Sequence, residues 1–358
     1  MKKLGRAFNH LEDLTFFYGS AGATEALRHI NEINEDASSV RMKWDGGLQI
    51  YWGREYVNGP LILSGHNSWA RGIKTCSGAE LFDFIVNQSG DPKTDLEKIE
   101  RIKFAAEFAN LYQAFDVATP LDFVGFVYGD ALFTSHPSVE NNRYNLYPNK
   151  KTGYHIDQYS ILGSVIEKAA VMVVGHAYFP EFGMMDDAQI PKDDFSEFVS
   201  NELIILGPHY ATSQPVLNHK KINEVEQYII DNADLLDSFL EPIQGVAAFK
   251  DYLYRYMNYK AKQHQLDTVG DDFVSWLESS KISPTQQIKI KNRVNQYQGS
   301  VTIMFNLVKY IIELKNAIID QLGDTAGDIT TSNSEGWVRY SNTPFGNIKL
   351  VPRHRWLP

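Results

Sequence analysis

Apolar and polar residues follow two different periods along this chain, and the change of period divides it. Val40-Arg41-Met42 leads into Lys43-Trp44-Asp45-Gly46, and Leu48, Ile50 and Trp52 then alternate with Gln49 and Tyr51, a period of two that predicts a strand. Residues 40–70 read as two or three strands, with Asn58-Gly59 as a hairpin turn. Phe123 to Phe133 is an apolar run broken by Gly129-Asp130, which predicts a buried strand carrying one carboxylate. Ala169 to Val174 predicts another, running into Gly175-His176-Ala177-Tyr178-Phe179. Between them, residues 131–151 are polar and irregular and read as a solvated loop.

Helical spacing governs the rest. Residues 8–36 read as largely helical, with Gly19-Ser20-Ala21-Gly22 as the turn into a helix from Ala23. Residues 76–88 and 95–116 predict helices, the second placing Ile99, Ile102, Phe104, Ala105 and Phe108 on a core face. A longer helical region follows, in Glu224 to Leu240, Ala247 to Lys262, Phe273 to Glu278 and Thr285 to Leu322, with Pro284 marking the start of the last block. Gly323 to Ser334 is rich in Gly, Asp, Thr and Ser and reads as a connector. Two short strands close the chain, in Ser334-Glu335-Gly336-Trp337-Val338-Arg339-Tyr340 and in Gly346-Asn347-Ile348-Lys349-Leu350-Val351-Pro352-Arg353.

At 358 residues the chain is long enough for a substantial core, as one elaborated domain or two. No apolar run reaches the roughly 20 residues of a membrane span, and the N-terminus lacks the apolar stretch of a signal peptide. Cys76 is the single cysteine, which excludes an intrachain disulfide and a cysteine metal cluster and fits a reducing cytoplasm. A net charge of −10 argues against indiscriminate nucleic-acid binding. A basic set in the helical region, Lys260, Lys262, Lys281, Lys289, Lys291 and Arg293, reads either as a phosphate-facing surface or as a solvated helix face.

The candidate chemistry centres on Lys43. Desolvation or nearby positive charge frees a lysine amine for nucleophilic attack, and a freed amine can attack the α-phosphorus of a nucleoside triphosphate. Gly46 and Gly47 give a phosphate backbone access beside it. Taken alone, the tetrapeptide is equally a surface lysine before an Asp-Gly turn. Asp130, on a buried strand, calls for a partner such as a metal, a sugar hydroxyl or a cation. Asn149, Lys150, Lys151 and Tyr154 are further candidates for nucleotide contact.

Taken in order, these segments resemble the covalent nucleotidyltransferase superfamily, which contains ATP-dependent DNA ligases, RNA ligases and mRNA capping enzymes. Lys43 to Gly46 matches its K-x-D-G motif, Gly129-Asp130 approximates the Gly-Glu that ends its third motif, Glu335-Gly336-Trp337-Val338 matches its fourth, and Lys349 matches its fifth in part. His10-Leu11-Glu12-Asp13 and the ending Lys349-Leu350-Val351-Pro352-Arg353 are similar to an uncharacterised ligase-related family from tailed phages. The resemblance implies an α+β fold, with a nucleotidyltransferase core of antiparallel sheets flanked by helices over residues 1–200 and 330–358. A mainly helical insertion would span 201–329. It implies ATP and magnesium as cofactors. Lys43 would form a lysyl-AMP, Asp45 would orient its loop, and Lys349 would neutralise the α-phosphate. Gly46 would give access to the nucleotide, Asp130 and Glu335 would contact ribose or metal, and His176, Tyr178 or Phe179 would stack on the base. The implied partner is a polynucleotide with 5′-phosphate and 3′-hydroxyl ends.

The departures bear on substrate. The position two after the motif, often basic, is Leu48, and Val351 replaces a second lysine of the last motif; Arg71, Lys74 and Arg353 are candidates to restore the charge. The chain ends soon after Lys349 without an appended OB-fold, which the resemblance reads as an RNA-ligase-like or atypical enzyme. A transferase with a different acceptor and a non-catalytic nucleotide-binding module stay open.

Overall fold

Four helices of this chain start where polar side chains take up the free N–H groups of a first turn. Thr94, Ser160, Asn218 and Ser283 each accept a backbone N–H from the turn that follows, and Pro284 sits where its missing N–H costs nothing. The computed structural model describes residues 8–88, 94–149, 152–184, 190–332, 336–341 and 343–353. In chain order the elements are β1 (Phe8–His10), α1 (Asp13–Glu35), β2 (Val40–Met42), β3 (Leu48–Arg54), β4 (Ile62–Gly65), α2 (His66–Ala70), α3 (Gly78–Gln88), α4 (Asp95–Asn110) and α5 (Tyr112–Ala118). Then follow β5 (Gly125–Phe133), β6 (Ser138–Glu140), β7 (Arg143–Leu146), β8 (Gly153–Asp157), α6 (Ile161–Ile166), β9 (Val171–Phe179), β10 (Ile190–Pro191) and β11 (Leu203–Leu206). The last are α7 (His219–Phe239), α8 (Phe249–Lys262), α9 (Phe273–Ser279), α10 (Pro284–Gln296), α11 (Ser300–Leu322), β12 (Thr325–Ala326), β13 (Ile329–Ser332), β14 (Trp337–Arg339) and β15 (Asn347–Leu350). The fold is mixed α+β with several antiparallel sheets.

Contacts gather into two units. One takes residues 1–43, 210–323 and 336–358; the other takes 44–209 and 324–335. Within the first unit α1 packs against α7 and α11.

In the first unit a four-stranded sheet runs β1-β15-β14-β2, with β1 parallel to β15 and the other pairs antiparallel. Ile348 and Leu350 are fully buried, and α11 carries a buried stripe including Met304, Val308, Ile311 and Ile318. The helix start expected at Ala23 is a kink within α1: Gly19 takes φ 65°, and the turn is capped by Asp237 from α7. The Asp237 carboxylate accepts from Ser20 N–H at 2.7 Å and from Ser20 Oγ at 2.6 Å, so a protein carboxylate sits where an anion would.

A buried charge quartet ties this unit together. Lys315 Nζ lies 2.8 Å from both Glu12 oxygens; Arg353 Nη1 lies 3.0 Å from Glu12 Oε1 and 2.5 Å from Asp13 Oδ1; Arg353 Nη2 donates to Asn258 Oδ1 at 2.9 Å. Burial alone would raise the Glu12 pKa, but Lys315 and Arg353 hold it well below the ordinary range. Asp13 is pushed up, because burial and the adjacent Glu12 outweigh Arg353 and Lys315. Burial drives His10 well below its usual value, so it stays neutral beside them.

In the second unit a larger sheet runs β10-β9-β5-β3-β4, with β11 added parallel to β9. One face, with Ile50, Trp52, Val127 and Val173, packs on Leu81, Phe84, Phe108 and Phe115 of α3, α4 and α5. The other carries an aromatic cluster of Tyr51, Trp69, Phe126 and Phe179. Asn58-Gly59 lies in the β3–β4 loop, with Asn58 at φ 58°. A five-stranded sheet, β12-β13-β8-β7-β6, uses two segments expected to be irregular. Asn141 and Asn142, at φ 53° and 62°, turn β6 into β7, and residues 325–332 form β12 and β13 rather than a bare connector.

Candidate functional site

Strand pairing in the first unit brings the first and last lysines of the motif series into one sheet. β2 pairs with β14 and β14 with β15, so Arg41 stands opposite Val338, and Val338 opposite Lys349. The ladder continues one residue past β2, where Lys43 N–H donates to the Gly336 carbonyl at 3.0 Å. Side chains alternate across a sheet. Met42, Trp337, Ile348 and Leu350 fall on the buried face with Arg339, which reaches back to α1 at His29 Nδ1 and Glu32 Oε2, each 2.6 Å away. Arg41, Lys43 and Lys349 fall on the opposite face, all half-buried. The Arg41 guanidinium lies 5.0 Å from the Tyr210 ring and 4.8 Å from that of Tyr340, so its position is fixed from two sides.

Gly336 explains the glycine of the fourth motif. It has φ 83°, and a side chain there would meet the Leu350 carbonyl at 2.1 Å. Only glycine lets β15 approach this closely while the same residue accepts the Lys43 N–H. Glu335 beside it lies outside the described residues, as do Lys150 and Lys151.

The remaining motif residues lie in the second unit. The Asp45 backbone is held at both ends: its N–H donates to Tyr154 Oη at 3.0 Å, and its carbonyl accepts from Asn149 Nδ2 at 3.2 Å. Tyr154 is fully buried. Gly46 packs directly on the third motif, where a Cβ would lie 2.5 Å from that of Asp130, and Gly47 N–H donates to the Ala131 carbonyl at 2.9 Å. Tight strand packing therefore accounts for both glycines.

Asp130 has a protein partner. A β-bulge between β5 and β9 leaves Tyr128 opposite Ala177 and Gly129 opposite Gly175, so His176 is the extra residue. Its Nε2 lies 3.2 Å from Asp130 Oδ2. A carboxylate only accepts, so Nε2 carries a proton. Tyr128 Oη, which accepts from Gln49 Nε2 at 3.0 Å, stands 3.5 Å from Asp130 Oδ1. That oxygen suits a hard cation completed by water and phosphate, the way magnesium is usually held. Among the described residues no group of three or more His, Cys, Asp or Glu side chains is arranged for a metal. Tyr178 packs its ring over Gly125 and donates its hydroxyl to the Val124 carbonyl at 3.0 Å.

Two cavities of the second unit were not legible in the sequence. One of about 370 Å³ is lined by Gly47, Phe104, Phe133, Ser135 and Tyr147; the other, about 240 Å³, shares Gly47 and Phe104 and adds His66, Asn67 and Phe84. Phe104 is 39% exposed, and its ring lines both rather than lying in the core as expected.

Two of the three substitutes considered for the missing basic residues are engaged elsewhere. Arg353 belongs to the buried quartet, and Lys74 pairs with Glu55 at 2.6 Å. Of the helical-region cations, Lys260 pairs with Asp272, Lys291 with Glu278, Lys289 donates to the Gln244 carbonyl and Arg293 to that of Ser238.

No helix among the described residues is long and apolar enough to cross a membrane. No curated protein and no solved structure matches the chain. Residues 93–356 match the sequence profile of a family of unknown function, DUF6267, a stretch that includes Asp130, His176, Tyr178 and Lys349 and begins after Lys43. Since the match covers well over half of its length, the chain belongs to this family of unknown function, DUF6267.

Proposed function

We propose that the chain is a covalent nucleotidyltransferase of the ligase and capping-enzyme type, an ATP-dependent polynucleotide ligase working through a lysyl-AMP. The neutral amine of Lys43 attacks the α-phosphorus of ATP, the nitrogen–phosphorus bond forms, and the bond to the bridging oxygen breaks as pyrophosphate departs. Nearby cations favour the neutral form of an amine and also offset charge building on the phosphate, which is the role given to Lys349. The AMP then passes to the 5′-phosphate of a polynucleotide, and a 3′-hydroxyl displaces it to join the strands. Asp130 would hold magnesium, which when bound shields phosphate charge.

One observation carries this reading. Two lysines separated by some 300 residues in sequence, and picked out by motif alone, fall on one face of one sheet with a single strand between them. Incubation with each of the four α-labelled triphosphates tests it. ATP should leave label on the wild-type protein and none on Lys43→Ala; equal labelling of both would end this mechanism.

The internal engagement of Lys260, Lys289, Lys291 and Arg293 favours a second reading, in which the same lysyl-AMP chemistry serves an acceptor other than a polynucleotide. Label retained on the protein in the presence of nicked DNA, nicked duplex RNA and single-stranded RNA would select it.

A further inference from the structure

The resemblance leaves a charge unaccounted for, because Val351 stands where a second lysine is usual. The sheet shows where positive charge lies instead. Lys43 and Val351 flank Gly336, since Trp337 is opposite both Met42 and Leu350. The next row of the same face holds Arg41 and Lys349, flanking Val338. Arg41 is thus two residues before Lys43 along its own strand, with side chains of alternate residues about 7 Å apart. Its guanidinium is stacked between Tyr210 and Tyr340, which removes much of the rotamer freedom an arginine loses on meeting a phosphate. Arg41, Lys43 and Lys349 thus place three cations on one sheet face of a chain with net charge −10.

We propose that Arg41 binds the outer phosphates of a triphosphate and makes the site select triphosphates over monophosphates. The proposal rests on the nucleotidyl-transfer reading for its chemistry. The physical grounds are the geometry of the planar fork, which bonds two phosphate oxygens at once, and its distance of about two residues' rise from the attacking lysine. A polyphosphate lying along β2 would place its α-phosphorus at Lys43 and its outer phosphates at Arg41, with the leaving pyrophosphate held by a cation as it separates.

The test measures equilibrium binding of ATP, AMP and inorganic tripolyphosphate to full-length Lys43→Ala protein, which cannot turn over, with and without a second change at Arg41. Arg41→Gln should weaken ATP and tripolyphosphate about tenfold or more, the scale of a charge-assisted hydrogen-bond pair, and AMP by less than about twofold. Arg41→Lys keeps an aliphatic stem between the two tyrosines and should give an intermediate loss, which guards against misfolding of the glutamine variant; thermal melting of each checks this. Equal weakening of ATP and AMP, ATP binding unchanged in both variants, or no binding of tripolyphosphate would each overturn the proposal. Binding of tripolyphosphate that depends on Arg41, in a wild-type protein that never takes label from ATP, would sustain the phosphate site and defeat the transfer chemistry alone.

Discussion

Replacing Lys315 with methionine removes one cation from a buried quartet whose charges otherwise balance. Glu12 and Asp13 supply two carboxylates, Lys315 and Arg353 two cations, and all four side chains are essentially unexposed. Methionine nearly fills the volume, so the cost is electrostatic rather than steric. Glu12 loses the ammonium that contacts both its oxygens at 2.8 Å and keeps only Arg353, already shared with Asp13. Stripping one partner from a buried pair costs about 3–5 kcal/mol, against a total folding stability of about 5–15 kcal/mol. Urea unfolding followed by circular dichroism reads this as a lower midpoint at unchanged slope. Removing Glu12 as well, in Glu12→Leu/Lys315→Met, leaves Arg353 paired with Asp13 and should recover most of the loss, since replacing a whole buried pair is often neutral. The single variant should also lose less at acidic pH, where protonation of Asp13, its pKa already raised, cancels the surplus negative charge. A single variant within about 1 kcal/mol of wild type, or a double variant worse than the single, would refute the quartet as a balanced network.

Other outcomes follow from the same structure. His29 is fully buried and, through burial and the neighbouring Arg339 and Arg28, its pKa is lowered to about 4. The unfolded chain therefore binds a proton that the folded chain refuses between about pH 6.5 and 4, so wild-type stability should fall across that window by about 3 kcal/mol; His29→Gln should flatten this part of the pH profile, and an unchanged profile would count against it. Gly19→Ala should destabilise by about 1–3 kcal/mol, because the residue holds φ 65° and its Cβ would lie 2.1 Å from Asp237 Oδ1; thermal unfolding measures it. Asp130→Ala should change the tautomer of His176 by removing the acceptor that fixes its proton on Nε2, which nitrogen NMR of the imidazole reads directly.

Much of the architecture was legible because it rests on strong local patterns. The alternation from Leu48 to Trp52 became β3, the apolar run to Phe133 became β5, and the helical spacing of 285–322 became two helices, α10 and α11. The face assigned to α4 was misplaced for a geometric reason. Ile99 and Phe108 are separated by about two and a half helical turns and so project to opposite sides; Phe108 is buried while Ile99 is 52% exposed and Ile102 38%. The β6–β7 hairpin escaped because its strands carry few apolar residues, yet Asn141-Asn142 is a turn pair suited to two successive positive φ values. Of the candidate site, Lys43 and Lys349 were named from the sequence, and alternation along one strand puts Arg41 on the face of Lys43; that Lys349 joins them depends on the register of strands some 300 residues away. The pairing of Asp130 with His176 likewise needed the bulge, a one-residue offset no local pattern encodes.

The most direct measurement is peptide mapping by mass spectrometry after the protein is incubated with ATP and magnesium and quenched in base, where a phosphoramidate survives. The account predicts one AMP adduct, on the peptide containing Lys43 and at that residue, which pyrophosphate removes. An unmodified Lys43 peptide under these conditions, or an adduct on any other residue, would contradict it.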